Sequence, residues 1–142
     1  MTRYLLDTNF CIHFIRGREW ARAALGRLQT IEVAVSAVTV GELYEGAHYA
    51  QVQSRELKKV ETFLEPLGII PFGREEAIKW GQVEARLRKQ GSPIEAEDSM
   101  IAATANAHGL TLVSGNTKHF ERVKGLKIVD WETHPPKDVS TR

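Results

Sequence analysis

Asp7 stops the short apolar run Tyr4-Leu5-Leu6 and is followed by two small polar residues, Thr8 and Asn9, and then by a helical pattern, FCIHFIR. Glu42 stands early in a second helical segment, after the run EVAVS, and Asp98 stands early in a third, just ahead of MIAATA. Asn116 follows the run LTLVS. Each has an ordinary structural explanation. Asp7 suits a helix N-cap, Glu42 completes a T-x-x-E capping box with Thr39, Asp98 complements a helix dipole and Asn116 suits a turn. A fold that gathers the three acids needs more than that. Two carboxylates about 5 Å apart repel by roughly 3 kcal/mol at an effective dielectric near 20. Three mutual pairs repel by roughly 10 kcal/mol, comparable with a whole domain's stability of about 5–15 kcal/mol. Such a cluster calls for protons or a cation, and oxygen ligands without thiolates suit Mg²⁺ or Mn²⁺.

The elements that would position these residues follow from the alternation of short apolar runs with longer periodic segments. The runs are YLL (4–6), EVAVS (32–36), GIIPF (68–72), LTLVS (110–114) and LKIVD (126–130), too short for helices and rich in Val, Ile and Leu. Helical patterns fall at 9–16, 19–29, 40–50, 52–65, 74–90, 94–108 and 116–122. This alternation predicts an α/β fold: a central parallel sheet of four to five strands, flanked by helices on both faces. The expected strand order is 3-2-1-4-5. Its switch point lies between the first and fourth strands, where ligands bind beyond the carboxyl ends, and there the acids and Asn116 would converge. Two capping boxes, Thr39-Val40-Gly41-Glu42 and Ser92-Pro93-Ile94-Glu95, predict helix starts, and Gly109 predicts a helix end. Residues 1–132 read as one domain and 133–142, THPPKDVSTR, as a loose tail.

Composition narrows the classes. The chain has 142 residues, enough to bury a core, with 42% hydrophobic and 26% charged residues. No apolar run approaches the ~18 residues of a membrane span, and Asp7 interrupts the N-terminal run too early for a signal peptide. One cysteine, Cys11, rules out an intramolecular disulfide and suits a reducing cytoplasm; its expected role is buried packing. The formal net charge is +1, but the charge is uneven. Residues 16–27 hold Arg16, Arg18, Arg22 and Arg27 against Glu19, and 118–127 hold Lys118, Arg122, Lys124 and Lys127 against Glu121. Such patches are solvated faces or phosphate-binding surfaces.

Four segments, LLDTN (5–9), VTVGELYEGA (38–47), EDSMIAATA (97–105) and LVSGNTKHF (112–120), resemble the PIN-domain ribonucleases and in particular the VapC toxins of toxin–antitoxin pairs. The resemblance covers essentially the whole chain, with the motifs in order. It implies a Mg²⁺-dependent acidic site, with Mn²⁺ as a substitute, in which Asp7, Glu42 and Asp98 match the family's core acids. Asp7 and Asp98 are then first-choice metal ligands, and Glu42 holds metal-bound water or assists the attacking one. Asn116 departs from a fourth acid found in many members. Thr8 and Ser114 fall at small hydroxyl positions of the site, beside Asn9. His119 stands where a further Asp often occurs, and a plain surface role is expected for it. Arg16 and Lys118 would hold flanking phosphates. The implied substrate is RNA, most often transfer RNA. The implied partners are a cognate antitoxin and a second copy in a homodimer, with DNA met only through the antitoxin. Phe10, Phe14, Leu43 and Tyr44 are candidate antitoxin contacts.

Other readings stay open on residues alone. An RNA-processing PIN nuclease shares the fold, and an RNA-binding module would hold RNA without cutting it. An aspartyl-phosphate phosphatase usually has a second Asp two residues after the first, where this chain has Asn9. A receiver-like module usually shows an acidic pair, absent here. Zinc is disfavoured because Cys11 and His13 diverge on a helix and His48, His108 and His134 are scattered.

Overall fold

The computed structural model describes residues 1–137. A five-stranded, all-parallel sheet runs in the order β3-β2-β1-β4-β5, the order expected from the sequence. Its strands are β1 (Tyr4–Leu6), β2 (Val33–Ser36), β3 (Gly68–Ile70), β4 (Thr111–Val113) and β5 (Lys127–Val129). Around it pack α1 (Thr8–Ile15), α2 (Glu19–Gly26), α3 (Ala37–Tyr49), α4 (Gln53–Leu64), α5 (Arg74–Gln90), α6 (Ala96–His108) and the single turn α7 (Thr117–Phe120).

Strand residues alternate between faces, and the core divides accordingly. Leu6, Val35 and Val113 are in register across the sheet and pack with Phe10, Leu43 and Phe63 of α1, α3 and α4. Leu5, Ala34 and Leu112 are likewise in register and pack with Leu87, Ile101 and Ala105 of α5 and α6. A strand buried on both faces reads as a continuous apolar run, as YLL does. Alanines at 102, 103 and 105, all fully buried, let α6 approach the sheet closely. Cys11 is fully buried packing, as expected.

Both expected capping boxes are corrected. Helix α3 starts at Ala37, because Ser36 ends β2 in an extended conformation and its hydroxyl accepts the Val38 N–H at 3.1 Å. Thr39 therefore lies inside the first turn and Glu42 in the second. Ser92 opens no helix. Helix α5 ends in a left-handed Gly91, φ 68°, and the Ser92 amide donates back to the Leu87 carbonyl at 3.0 Å. This reverse turn is a Schellman-type ending that claims Ser92 for α5, so α6 begins at Ala96 and Asp98 is its third residue. Gly109 caps α6 as predicted, with φ 64°.

The expected tail is partly tied down. Pro136 is buried, and its carbonyl accepts from Arg27 Nη1 at 3.1 Å. The remainder of that tail, 138–142, lies outside the described residues. Among the described residues no helix is long and apolar enough to cross a membrane.

Candidate active site

Asp7 leaves the carboxyl end of β1 and caps α1, its Oδ1 accepting the Phe10 N–H at 2.7 Å. It is 4% exposed. Burial is the main force pushing its pKa up to about 6; the Ser114 hydroxyl and the Phe10 amide oppose this, and the nearby charges of Asp98 and Glu42 add to it. Asp7 is thus the N-cap that its position suggested, and its carboxylate also lines a cavity.

Glu42 reaches the same place from the second turn of α3. Thr8 Oγ1 donates to Glu42 Oε1 at 2.6 Å and lies 3.0 Å from the hydroxyl of Thr39, which is fully buried. Burial raises the Glu42 pKa, the Thr8 hydrogen bond lowers it, and Asp98, Glu97 and Glu45 raise it further by repulsion. Asp98 arrives from the first turn of α6. His119 of α7 is not a plain surface residue: its Nε2 meets Asp98 Oδ2 at 3.0 Å. The four-residue helix α7 brings that imidazole to Asp98, a placement that no local pattern announces.

Asp7, Thr8, Asn9, Glu42, Asp98 and Asn116 share one cavity of about 250 Å³. Ser114 sits behind it, fully enclosed, holding Asp7 and accepting the Asn116 N–H at 3.0 Å. Asn116 caps α7 without using its side chain for the cap, which leaves the amide at the mouth. Arg16 and Lys118 are exposed and lie outside the cavity wall, with Arg16 lining an adjoining groove that also includes Glu42.

One acid was missed from sequence. Glu45 lines the same cavity; its signal was the i, i+3 spacing from Glu42, which puts both on one helical face. Thr39, fully buried one turn before Glu42, meets the Thr8 hydroxyl from behind the cavity wall.

The donor set is hard oxygen; burial, and after it the neighbouring carboxylates, raise the pKa of Asp7 and of Glu42. A divalent cation would offset both effects. Another group of possible ligands, Glu75, Glu76 and His108, gathers at the start of α5. There Glu76 is engaged structurally: it accepts the Gly73 N–H at 2.9 Å and pairs with His108, which lowers its pKa. That group ties the start of α5 to the end of α6, away from the carboxyl ends of the strands.

The PIN domain family matches residues 4–126. The chain belongs to the PIN-domain family. Within it, the relatives are VapC ribonucleases. The chain is 36% identical over 131 residues to a tRNA(fMet)-specific endonuclease VapC of Shigella flexneri, covering 92% of this chain and 99% of that one. It is 37% identical over 131 residues to ribonuclease VapC2 of Haemophilus influenzae, with the same coverage. The fold superposes on VapC-type chains from a DNA-bound VapBC complex of Salmonella typhimurium, with a TM-score of 0.88 at 36% identity, covering 92% of this chain and 99% of that chain. The corresponding values for VapBC2 of Rickettsia felis are 0.86, 29%, 92% and 99%.

Proposed function

We propose that this chain is the ribonuclease toxin of a toxin–antitoxin pair, a metal-dependent endonuclease that cuts RNA, with transfer RNA as the substrate class. The observation that carries the reading is the convergence of Asp7, Glu42 and Asp98 in one small cavity at the switch point of the sheet, in a chain of VapC kinship. Asp7 and Asp98 are placed to hold Mg²⁺, or Mn²⁺ in its stead. The ion supplies positive charge that acidifies a water and offsets charge developing on the phosphoryl oxygens. Glu42, pinned by Thr8, orients the attacking water and takes its proton. His119 holds the Asp98 carboxylate in one orientation, and Ser114 does the same for Asp7. Asn116 presents an amide at the mouth, where a phosphate oxygen would lie. Arg16 and Lys118, outside the cavity, meet the flanking phosphates.

The proposed partners are an antitoxin, a second copy of the chain in a homodimer, and DNA only by way of the antitoxin; the proposed location is the cytoplasm. A groove of about 760 Å³ between α1, α2 and α4, lined by Phe14, Phe63 and Leu67 and edged by Arg22, Arg55 and Lys58, suits an apolar, acidic antitoxin segment. Of the candidate contacts, Phe10 and Leu43 are core, 3% and 5% exposed, while Phe14 and Tyr44 remain half-exposed.

The test is incubation of the purified protein with a transfer-RNA pool, with Mg²⁺ or Mn²⁺ and again with chelator, beside Asp98→Asn. Discrete cuts that require both the ion and Asp98 are expected. RNA retained but uncut would replace the nuclease with a binding module.

A further inference from the structure

Beside the acidic cavity lies another of about 390 Å³ that the chemistry above does not use. Asn9 and Asn116 belong to the walls of both. Part of the wall is aromatic: Trp20, only partly buried, and the buried Trp131 stand edge-on to Phe10, with ring centroids at 5.8 and 5.3 Å, so Trp20 supplies the accessible ring. His13 stands 5.4 Å from Trp20. Its Nδ1 is buried without a hydrogen-bond partner, so nothing among the described residues fixes the tautomer through that nitrogen.

An acidic part of the wall carries Asp130 and Glu132. Asp130 follows β5 as Asp7 follows β1: each carboxylate stands at the carboxyl end of its strand, and the strands are parallel. Its Oδ1 accepts the Glu132 N–H at 3.0 Å. Its Oδ2 lies 4.0 Å from where a Cβ on Gly115 would stand, so a side chain at 115 would touch Asp130 and narrow the cavity.

The occupant must suit both parts of the wall. Two carboxylates repel a phosphate but accept hydrogen bonds, and the aromatic wall suits a flat ring. In a nucleotide, the part that is flat and rich in donors is the base. Guanine presents two adjacent donors, N1–H and the 2-amino group, which match the two oxygens of a carboxylate. The shared wall places this base next to the phosphate held in the acidic cavity.

We propose that this cavity is a nucleobase subsite that takes a guanine adjacent to the scissile phosphate, with Asp130 accepting from its Watson–Crick edge and Trp20 contributing aromatic surface. The proposal rests on the ribonuclease reading and adds base selection to it. The cut then falls at sites chosen by an unpaired base, in a loop where bases are splayed and accessible.

Two measurements test it. The first needs neither a variant nor cleavage: quenching of tryptophan emission by guanosine and by cytidine, corrected for their absorbance. Guanosine is expected to quench at a concentration about tenfold lower; equal quenching overturns the subsite. The second maps cuts in a random-sequence single-stranded RNA with Mn²⁺ for the native chain, Asp130→Asn and Trp20→Ala, each checked by its melting curve. Asp130→Asn keeps an oxygen to accept the Glu132 N–H. The native chain is expected to enrich guanine beside the cut, Asp130→Asn to lose that enrichment about tenfold, and Trp20→Ala to lower kcat/KM about tenfold or more. Cuts with identical base distributions in all three overturn the subsite and leave the nuclease standing. Guanosine-selective quenching in a chain that cuts no RNA supports the pocket and overturns the nuclease reading.

Discussion

Asp7 is held by two donors that favour its charge and by a burial that opposes it, and burial wins, raising its pKa from 3.8 to about 6. The sign for stability follows. The folded state binds the Asp7 proton more tightly than the unfolded chain, so the stabilisation is full below the unfolded value and is lost as pH rises through about 6. In chelator, this group alone should make the protein roughly 1 kcal/mol more stable at pH 5 than at pH 7. Asp7→Asn should flatten that part of the slope and melt higher than the native chain at pH 7; a lower melting temperature would show that the ionised cap outweighs burial. Thr8 offers a second test. Its hydroxyl donates to Glu42 at 2.6 Å, so Thr8→Val should lower kcat roughly tenfold through loss of one hydrogen bond to a charged group, with little change in KM. Thr8→Ser should restore most of it. A variant in which KM rises and kcat holds would place Thr8 in substrate binding instead.

The supporting elements are short, and their ends decide where the acids point. Ser36 closes β2 and caps α3 with one hydroxyl. Removing such a cap costs about 1 kcal/mol. Ser36→Ala should therefore lower stability by that amount in chemical denaturation and should also reduce cleavage, because Glu42 hangs from the second turn of the helix it starts. Lost stability with unchanged activity would show that packing of Leu43 and Ala47, both buried, holds α3 without the cap. Helix α6 is set differently. It has no side-chain cap and is positioned by buried alanines and by Trp80 of α5, whose indole N–H donates to Ser99 at 2.9 Å.

For the whole molecule, the relevant quantity is charge distribution, since the formal total is only +1. Arg16 lines a groove that shares Glu42 with the acidic cavity, Arg22 lines the apolar groove, and Lys118 stands on α7 two residues after Asn116. Reversing these three should weaken RNA binding and flatten its dependence on salt, by about 0.7–0.9 in the log–log slope for each phosphate that is no longer neutralised. An unchanged slope would remove them from the RNA path. Arg22 also lies 5.3 Å from the Phe14 ring, beside the apolar groove, so its reversal should weaken antitoxin binding as well, read by co-purification of the pair.

The sequence by itself determined the strands, their parallel order and the acid that ends β1, because a strand buried on both faces must be a continuous apolar run and a carboxylate can stop it only where water or an ion reaches. It also determined that Asp7, Glu42 and Asp98 belong together, through spaced segments that resemble one family. Helix starts misled where two residues competed for one cap: Ser36 displaced Thr39, and the ending of α5 claimed Ser92. Only the tertiary structure decided that His119 pairs with Asp98, that Thr8 and Thr39 brace Glu42 and that Asp130 opens onto its own cavity. Those contacts join residues far apart in sequence or on separate elements. Their distances follow from how helices pack across a twisted sheet, and no local pattern of residue types encodes that.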